Sequence, residues 1–410
     1  MKLDIDFVRK QFPALQGEMT FFDNAGGSQC LKTVADRIHN YLLSSNVQLG
    51  ASYETSQISG SRVKQAIEFG AELINARHAS EIIFGGSTTL MLKLLSTSMV
   101  KTFKAGDEVI VTDCDHEANI GAWLNMEEKG IKVKFWKTNT KSIHLEIEDL
   151  KKLLTSKTKL VALTHASNIL GSINPIKEIA KIVHAAGAKI CVDAVAYAPH
   201  RLIDVQDLDV DFYAFSLYKV YGPHYAMLYG KKELLLELPS INHYFIGNDE
   251  TAYKFQPGNA NFELSYGYLG FKDYLETLAE KHFPKQKFLN FREKAIAASE
   301  LMSEHEEVLA KRLLDFLNAK SNVKIIGKTS FSKTERVPTI SFVVKDRISS
   351  EIVEKVDSHK IGIRFGDFYA RRLIESLGLE KVDGVIRVSM VHYNTIEEVD
   401  RLISIFETIF

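Results

Sequence analysis

The residues best placed to do chemistry are a lysine and an aspartate, each ending an apolar run. Lys219 follows Asp211-Phe212-Tyr213-Ala214-Phe215-Ser216, which reads as a buried strand, and it sits in a Ser-Leu-Tyr-Lys-Val-Tyr-Gly-Pro segment that closes on a turn. A lysine at the mouth of a buried strand loses solvation, so its pKa falls toward the neutral amine, the form that makes a Schiff base with an aldehyde. Most lysines after strands are simply solvated, so the partner decides. That partner is Asp193, which ends the apolar run Ala188-Lys189-Ile190-Cys191-Val192-Asp193. Pyridoxal phosphate requires a lysine for its aldehyde and an acid to keep its pyridine nitrogen protonated. Neighbouring strand ends bearing Lys219 and Asp193 would supply both.

Other polar residues fall at similar places. Gly85-Gly86-Ser87-Thr88-Thr89 stands between the short strand Glu81-Ile82-Ile83-Phe84 and an apolar helix expected from Leu90 to about Phe103. Glycines and hydroxyls at a helix N-terminus offer N–H groups and the positive end of the dipole to an anion, although an ordinary Ser/Thr cap looks the same. The segment is neither a Walker loop nor a GxGxxG dinucleotide turn. His116, in Asp115-His116-Glu117-Ala118-Asn119, follows the strand Asp107–Thr112. It could be a surface histidine or a plate against a cofactor ring; metal is the weakest reading, because no second histidine stands at ligand spacing. Asn168 follows the strand Leu160–His165. Ala25 and Gly26, in Phe21-Phe22-Asp23-Asn24-Ala25-Gly26-Gly27, let a backbone pass close to a substrate, or form a plain turn.

Strands and helices alternate through residues 81–230. A helix opened by Pro175 and closed by Gly187 carries Ile176, Ile179, Ile182 and Val183 inward. That order predicts a mostly parallel α/β sheet between helices, in which ligands sit beyond the carboxyl ends of the strands. A long helical stretch is expected at about 275–319, then a half-buried strand at 337–344, a helix at 349–358 and a strand at Val385–Ser389. A last helix is opened by the capping box Thr395-Ile396-Glu397-Glu398. This second part reads as a smaller α+β layer. The expected division is 16–275 for a large domain, with 1–15 and 276–410 forming the small one.

Composition narrows the function classes. The 410 residues are 45% hydrophobic and 25% charged with a formal net charge of −1, which leaves no basic field for nucleic acid and no polybasic membrane patch. The start lacks a signal-peptide pattern, so a cytoplasmic location is expected. Three cysteines (Cys30, Cys114 and Cys191) form no zinc spacing.

With these residues in view, the chain resembles the class V aminotransferases, fold-type-I pyridoxal phosphate enzymes, and most of all their cysteine-desulfurase-like and selenocysteine-lyase-like branch. The resemblance runs from about Phe21 to the C-terminus. It implies that Lys219, in Phe-Ser-x-x-Lys-x-x-Gly-Pro, carries the cofactor, that Asp193 pairs with the pyridine nitrogen and that His116 stacks on the ring. Gly86, Ser87 and Thr88, with Ser216, would bind phosphate, and Tyr218 replaces a histidine there. Asn168 would approach cofactor and substrate, and Arg387, in Arg387-Val388-Ser389, would hold the substrate α-carboxylate. A homodimer is implied as well, with the Pro257-Gly258-Asn259 loop of one copy reaching the phosphate bound by the other.

Two departures bear on the reaction. Desulfurases carry a catalytic cysteine in the loop after a Gly-Ile-x-x-Arg-x-Gly strand; here that loop is Gly366-Asp367-Phe368-Tyr369-Ala370-Arg371, and no cysteine follows Cys191. A persulfide needs a thiolate, which tyrosine cannot supply. Ala196 also stands where desulfurases have a glutamine. The resulting expectation is a β-eliminating C–S or selenocysteine-type lyase. Transamination, epimerisation and a catalytically silent scaffold are its rivals.

Overall fold

A computed structural model describes residues 2–409. Its centre is a seven-stranded sheet of β1 (Ile82–Gly85), β2 (Glu108–Thr112), β3 (Lys132–Trp136), β4 (Thr158–Thr164), β5 (Lys189–Asp193), β6 (Phe212–Ser216) and β7 (Ala226–Gly230). The spatial order is β1-β7-β6-β5-β4-β2-β3. Strand β7 runs antiparallel to both its neighbours, and the other pairings are parallel. The apolar runs are continuous because both faces are covered. Ile110, Val161, Leu163, Ile190, Val192, Tyr213 and Phe215 pack into one core layer. Their alternates Val109, Val111, Leu160, Ala162, Cys191, Phe212 and Ala214 pack into the other. The period of two in each strand is therefore present, with both phases buried.

Helix α1 (Thr88–Met99) is capped by Ser87, whose hydroxyl accepts from Leu90 N at 3.1 Å. It puts Met91, Leu92 and Leu95 on the second layer. Helix α2 (Ala118–Leu124) packs on the same side through Ile120 and Trp123. Helix α3 (Ile176–Ala185) covers the opposite layer and ends at Gly187, whose φ of +77° suits a residue without Cβ. The expected single helix over 275–319 is two: α4 (Leu269–His282) and α5 (Phe291–Asn318). The break follows from Pro284, which lacks an N–H and disfavours helical backbone before it, and from Asn290, which accepts from Glu293 N at 3.0 Å and starts a new helix.

A second, antiparallel sheet holds β8 (Val323–Ile326), β9 (Thr339–Val344), β10 (Arg364–Gly366) and β11 (Val385–Ser389) in the order β8-β9-β11-β10. Strand β9 is nearly buried throughout rather than half-buried as its alternation predicts. Its polar positions face protein: Ser341 Oγ donates to Ile169 O at 2.6 Å, across to the loop after β4. Gly171 closes that loop with φ +65°, and a Cβ there would lie 2.2 Å from Thr339 O. Thr20–Phe21 pairs in parallel with Ile361–Gly362, and Ser389 N donates to Phe22 O at 2.7 Å. Residues 20–23 thus run beside this second sheet. The final helix α6 (Ile396–Ile409) carries the predicted capping box, with Glu398 N donating to Thr395 Oγ1 and Thr395 N to Glu398 Oε2, both at 3.1 Å. No helix among the described residues is long and apolar enough to cross a membrane.

Candidate active site

Strands β5 and β6 pair in parallel, so their carboxyl ends deliver Asp193 and, one 3₁₀ turn later, Lys219 to the same edge. Around them is a cleft of about 450 Å³. Lys219, Asp193, His116, Thr88, Ser216, Tyr218 and Asn168 all line it. These residues span five separate stretches of chain, and the shared feature is the strand end, as expected for an open α/β sheet.

Burial sets the electrostatics. The Lys219 amine is pulled down to about 8, first by desolvation and then by the positive Arg387 nearby, with Asp193 opposing. The Asp193 carboxyl is pushed up to about 6 by desolvation, against a 2.9 Å hydrogen bond from Val195 N to its Oδ1. A buried carboxylate in this state favours a cationic partner. His116 is pulled down to about 4 by desolvation and then by Lys219. Its Nδ1 accepts from Ala118 N at 3.1 Å, which leaves the proton of the neutral ring on Nε2. Thr88 Oγ1 and Ser216 Oγ lie 2.7 Å apart where α1 begins, a pair of hydroxyls at the positive end of a helix.

Several residues act as supports that sequence reasoning passed over. Asp115 is buried under His116 and accepts from Thr112 Oγ1 at 2.5 Å, Asn119 Nδ2 at 2.6 Å and Thr164 N at 3.1 Å. Burial pushes it up to about 7. His165 stacks on Tyr197 with ring centroids 3.5 Å apart, and its Nδ1 meets Tyr213 OH at 2.6 Å. The signal for Asp115 was its place directly before His116; nothing in the sequence pairs His165 with Tyr197.

Arg387 sits beside the cleft. Its Nη2 donates to Asp23 Oδ1 at 2.8 Å and its Nη1 to Asn168 O at 3.2 Å, while its buried Nε has no hydrogen-bond partner. Arg364 Nη1 lies 3.5 Å from Asp23 Oδ2. The predicted turn residues adjoin this ion pair: Ala25 N donates to Ser389 Oγ at 2.8 Å, and Gly26 N to Asp23 O at 2.9 Å. Ser87 uses its hydroxyl as the helix cap, and Gly86 is exposed on the turn before it. Asn259 does not reach the cleft of its own chain; it exchanges side-chain hydrogen bonds with Gln48 at 3.2 and 3.4 Å.

The loop after β10 is held rather than free. Asn168 Nδ2 donates to Phe368 O at 2.9 Å, Glu117 N to Tyr369 O at 2.7 Å, and Arg372 forks onto Glu117 at 3.0 and 3.1 Å. The three thiols lie elsewhere: Cys114 and Cys191 are buried and Cys30 is exposed. Burial pushes Cys114 up to about 12 and raises Cys191 well above the ordinary thiol range, while partial desolvation alone raises the exposed Cys30.

The donor set fits pyridoxal phosphate: an amine of lowered pKa, a buried acid opposite it, a neutral imidazole and hydroxyls at a helix N-terminus. The family model of aminotransferase class-V matches residues 20–278 and 289–402. An aminotransferase-like protein, FGM3, from Gibberella zeae is 44% identical over 99% of this chain and 98% of its own. A cysteine desulfurase-like protein, ustD, from Aspergillus flavus is 34% identical over 97% of this chain and 88% of its own. Among solved structures, the apo cysteine desulfurase of Thermococcus onnurineus superposes with a TM-score of 0.86 at 25% identity, covering 100% of this chain and 98% of that one.

Proposed function

The chain belongs to the class V aminotransferase family of pyridoxal phosphate enzymes, and on that premise we propose that it is a lyase releasing the β-substituent of an α-amino acid. The observation carrying this reading is the loop after β10. It presents Tyr369 and no thiol, and each cysteine lies off that loop with a raised pKa. A departing sulfur or selenium would therefore leave without being captured on the protein.

The bound cofactor supplies an electron sink for negative charge at the substrate α-carbon. Lys219 would hold the cofactor and then take the α-proton at Nζ, a role suited to an amine tuned to about 8. Asp193 would keep the pyridine nitrogen protonated. His116, neutral and flat, would cover one ring face. Thr88, Ser216 and the first turn of α1, with Tyr218 beside them, would hold phosphate. Arg387, aimed by Asp23 and Asn168, would take the substrate α-carboxylate, for which a guanidinium fork is matched. In the elimination, Nζ takes the α-proton and the Cβ–X pair leaves with X; hydrolysis of the remaining fragment gives a keto acid and ammonia.

The proposed assembly is a homodimer in which Asn259 of one copy reaches the phosphate site of the other. Exposed aromatic surface at Tyr244 (99% exposed) and Phe245 (68%) supports a covered face in this stretch. To test the reaction, the holoenzyme is incubated with amino acids bearing different β-substituents. Keto acid, ammonia, free leaving group and amino transfer are then assayed together. Keto acid in step with leaving group supports the lyase; alanine in step with a protein persulfide, or amino transfer alone, excludes it.

A further inference from the structure

The cleft does not end at His116. A second, more open chamber, whose empty space of about 1090 Å³ includes solvent at its mouth, continues from it. Thr89, His116, Ala118 and Tyr218 line both. We propose that this outer chamber is the subsite for the substrate side chain, and that it selects a bulky aromatic or apolar group. The proposal rests on the reading of the site as one for α-amino acids.

The walls argue for that class. Ala118, Gly121 and Ala122 lie at i, i+3 and i+4 along α2 and line one side with small, flat surface. Tyr369 lines the chamber with a ring 70% exposed, 5.2 Å from the ring of His116 between centroids. The two rings make an aromatic wall, and offset or tilted contact with a third ring is favourable. Glu117, the acid on the lining, is already taken by the fork of Arg372, and the other polar residues there, Thr89, Lys93 and Asn125, are exposed.

Tyr369 is also held there. Phe368 and Tyr369 both adopt left-handed backbone, with φ of +50° and +61°, a conformation disfavoured for aromatic residues. The bonds from Asn168 and Glu117 to the two carbonyls keep them in it. A side chain as small as that of cysteine would leave this surface without contact.

The test titrates the holoenzyme with L-alanine and L-phenylalanine and follows the cofactor absorbance. Phenylalanine is expected to bind at least about tenfold more tightly, the scale of burying part of a phenyl ring. Gly121→Leu should remove that advantage with alanine affinity within about twofold; a Cβ at Gly121 would meet only Glu117 Oε1 at an ordinary 3.6 Å. Tyr369→Ala, at an exposed position that does not support the fold, should reduce the advantage independently. Equal affinity for the two amino acids in the wild type, or variants that weaken both alike, would overturn the proposal. If neither amino acid perturbs the cofactor, the amino-acid reading fails and the subsite with it. Selection between these two amino acids, with no keto acid from amino acids that carry a β-leaving group, would instead leave the subsite standing and remove the lyase.

Discussion

The guanidinium carbon of Arg387 lies 3.6 Å from the ring centroid of Phe368. Cation–π contact of this kind is strongest where water is excluded, and Arg387 is 2% exposed. Phe368 therefore keeps the charge dry while Asp23 and Asn168 fix its direction. Arg387→Lys retains the charge and loses the fork, so KM for the amino acid should rise roughly 30-fold, about 2 kcal/mol. Phe368→Ala should raise it about fivefold by the loss of the stack. In both, cofactor loading measured by absorbance stays complete; a loss of cofactor instead would mean that Arg387 holds the fold of the site.

Lys219→Ala should purify without covalently held cofactor, and borohydride reduction of the wild type should tag Lys219 on peptide mapping. Because burial brings its amine to about 8, the apoprotein should take up added cofactor covalently at a rate that climbs with pH to a midpoint near 8. A midpoint near 10.5 would describe an ordinary solvated lysine. A tag on another lysine would remove the assignment.

For Asp193 the sign runs opposite to that of a salt-bridged acid. Its folded pKa of about 6 lies above the roughly 4 of an unfolded aspartate. The apoprotein is therefore favoured fully below about pH 4 and loses that stability as pH rises through 6. Asp115, raised to about 7, extends the loss upward. These two acids should thus lower the melting temperature of the apoprotein between about pH 4 and 7, against the opposite slope from the buried His116 and His165, lowered to about 4 and 3. Asp193→Asn should remove its share of the falling slope, read as the difference from wild type, and lower turnover by orders of magnitude. A slope unchanged by the substitution would show that Asp193 does not titrate there.

The cysteines should be dispensable. The Cys30→Ala, Cys114→Ala double variant is expected to keep most activity on the true substrate, since Cys114 is raised to about 12 and neither residue lies on the loop after β10. Cysteine as substrate should give slow sulfide release with pyruvate rather than alanine. The pyruvate-to-alanine ratio, with persulfide trapping, decides.

Light scattering should give twice the 46.2 kDa chain mass, and Asn259→Ala should weaken cofactor retention without dissociating the pair. A monomer that retains cofactor tightly would contradict the composite site.

That Lys219, Asp193, His116 and Thr88 share one cleft could be read from the sequence because each stands at the end of a strand buried on both faces, and such strands are unbroken apolar runs. Their convergence is a property of parallel topology rather than of any one motif. The stack of Phe368 on Arg387 could not be read in this way. Phe368 lies in the loop after β10 and Arg387 in β11, and Asp23 reaches Arg387 from 364 positions away. The polar positions of β9 misled for a related reason: alternation marks a second face but cannot say whether water or protein meets it. The break at Pro284 is visible as a residue but not as a boundary, because helical spacing continues on both sides.

Residues 20–23 follow the second sheet, since Thr20–Phe21 pairs with Ile361–Gly362, Phe22 O accepts from Ser389 N and Asp23 bridges to Ser389. Asp23 and Arg387 are thereby mounted on one piece of backbone framework, while Lys219 and Asp193 are mounted on the seven-stranded one. The two frames meet like the jaws of a calliper. The gap between Arg387 and Lys219 is gauged by how the sheets seat on each other, at contacts such as Ser341 Oγ to Ile169 O. Residues at that seam, remote from any reacting atom, would then set the length of substrate the jaws can hold.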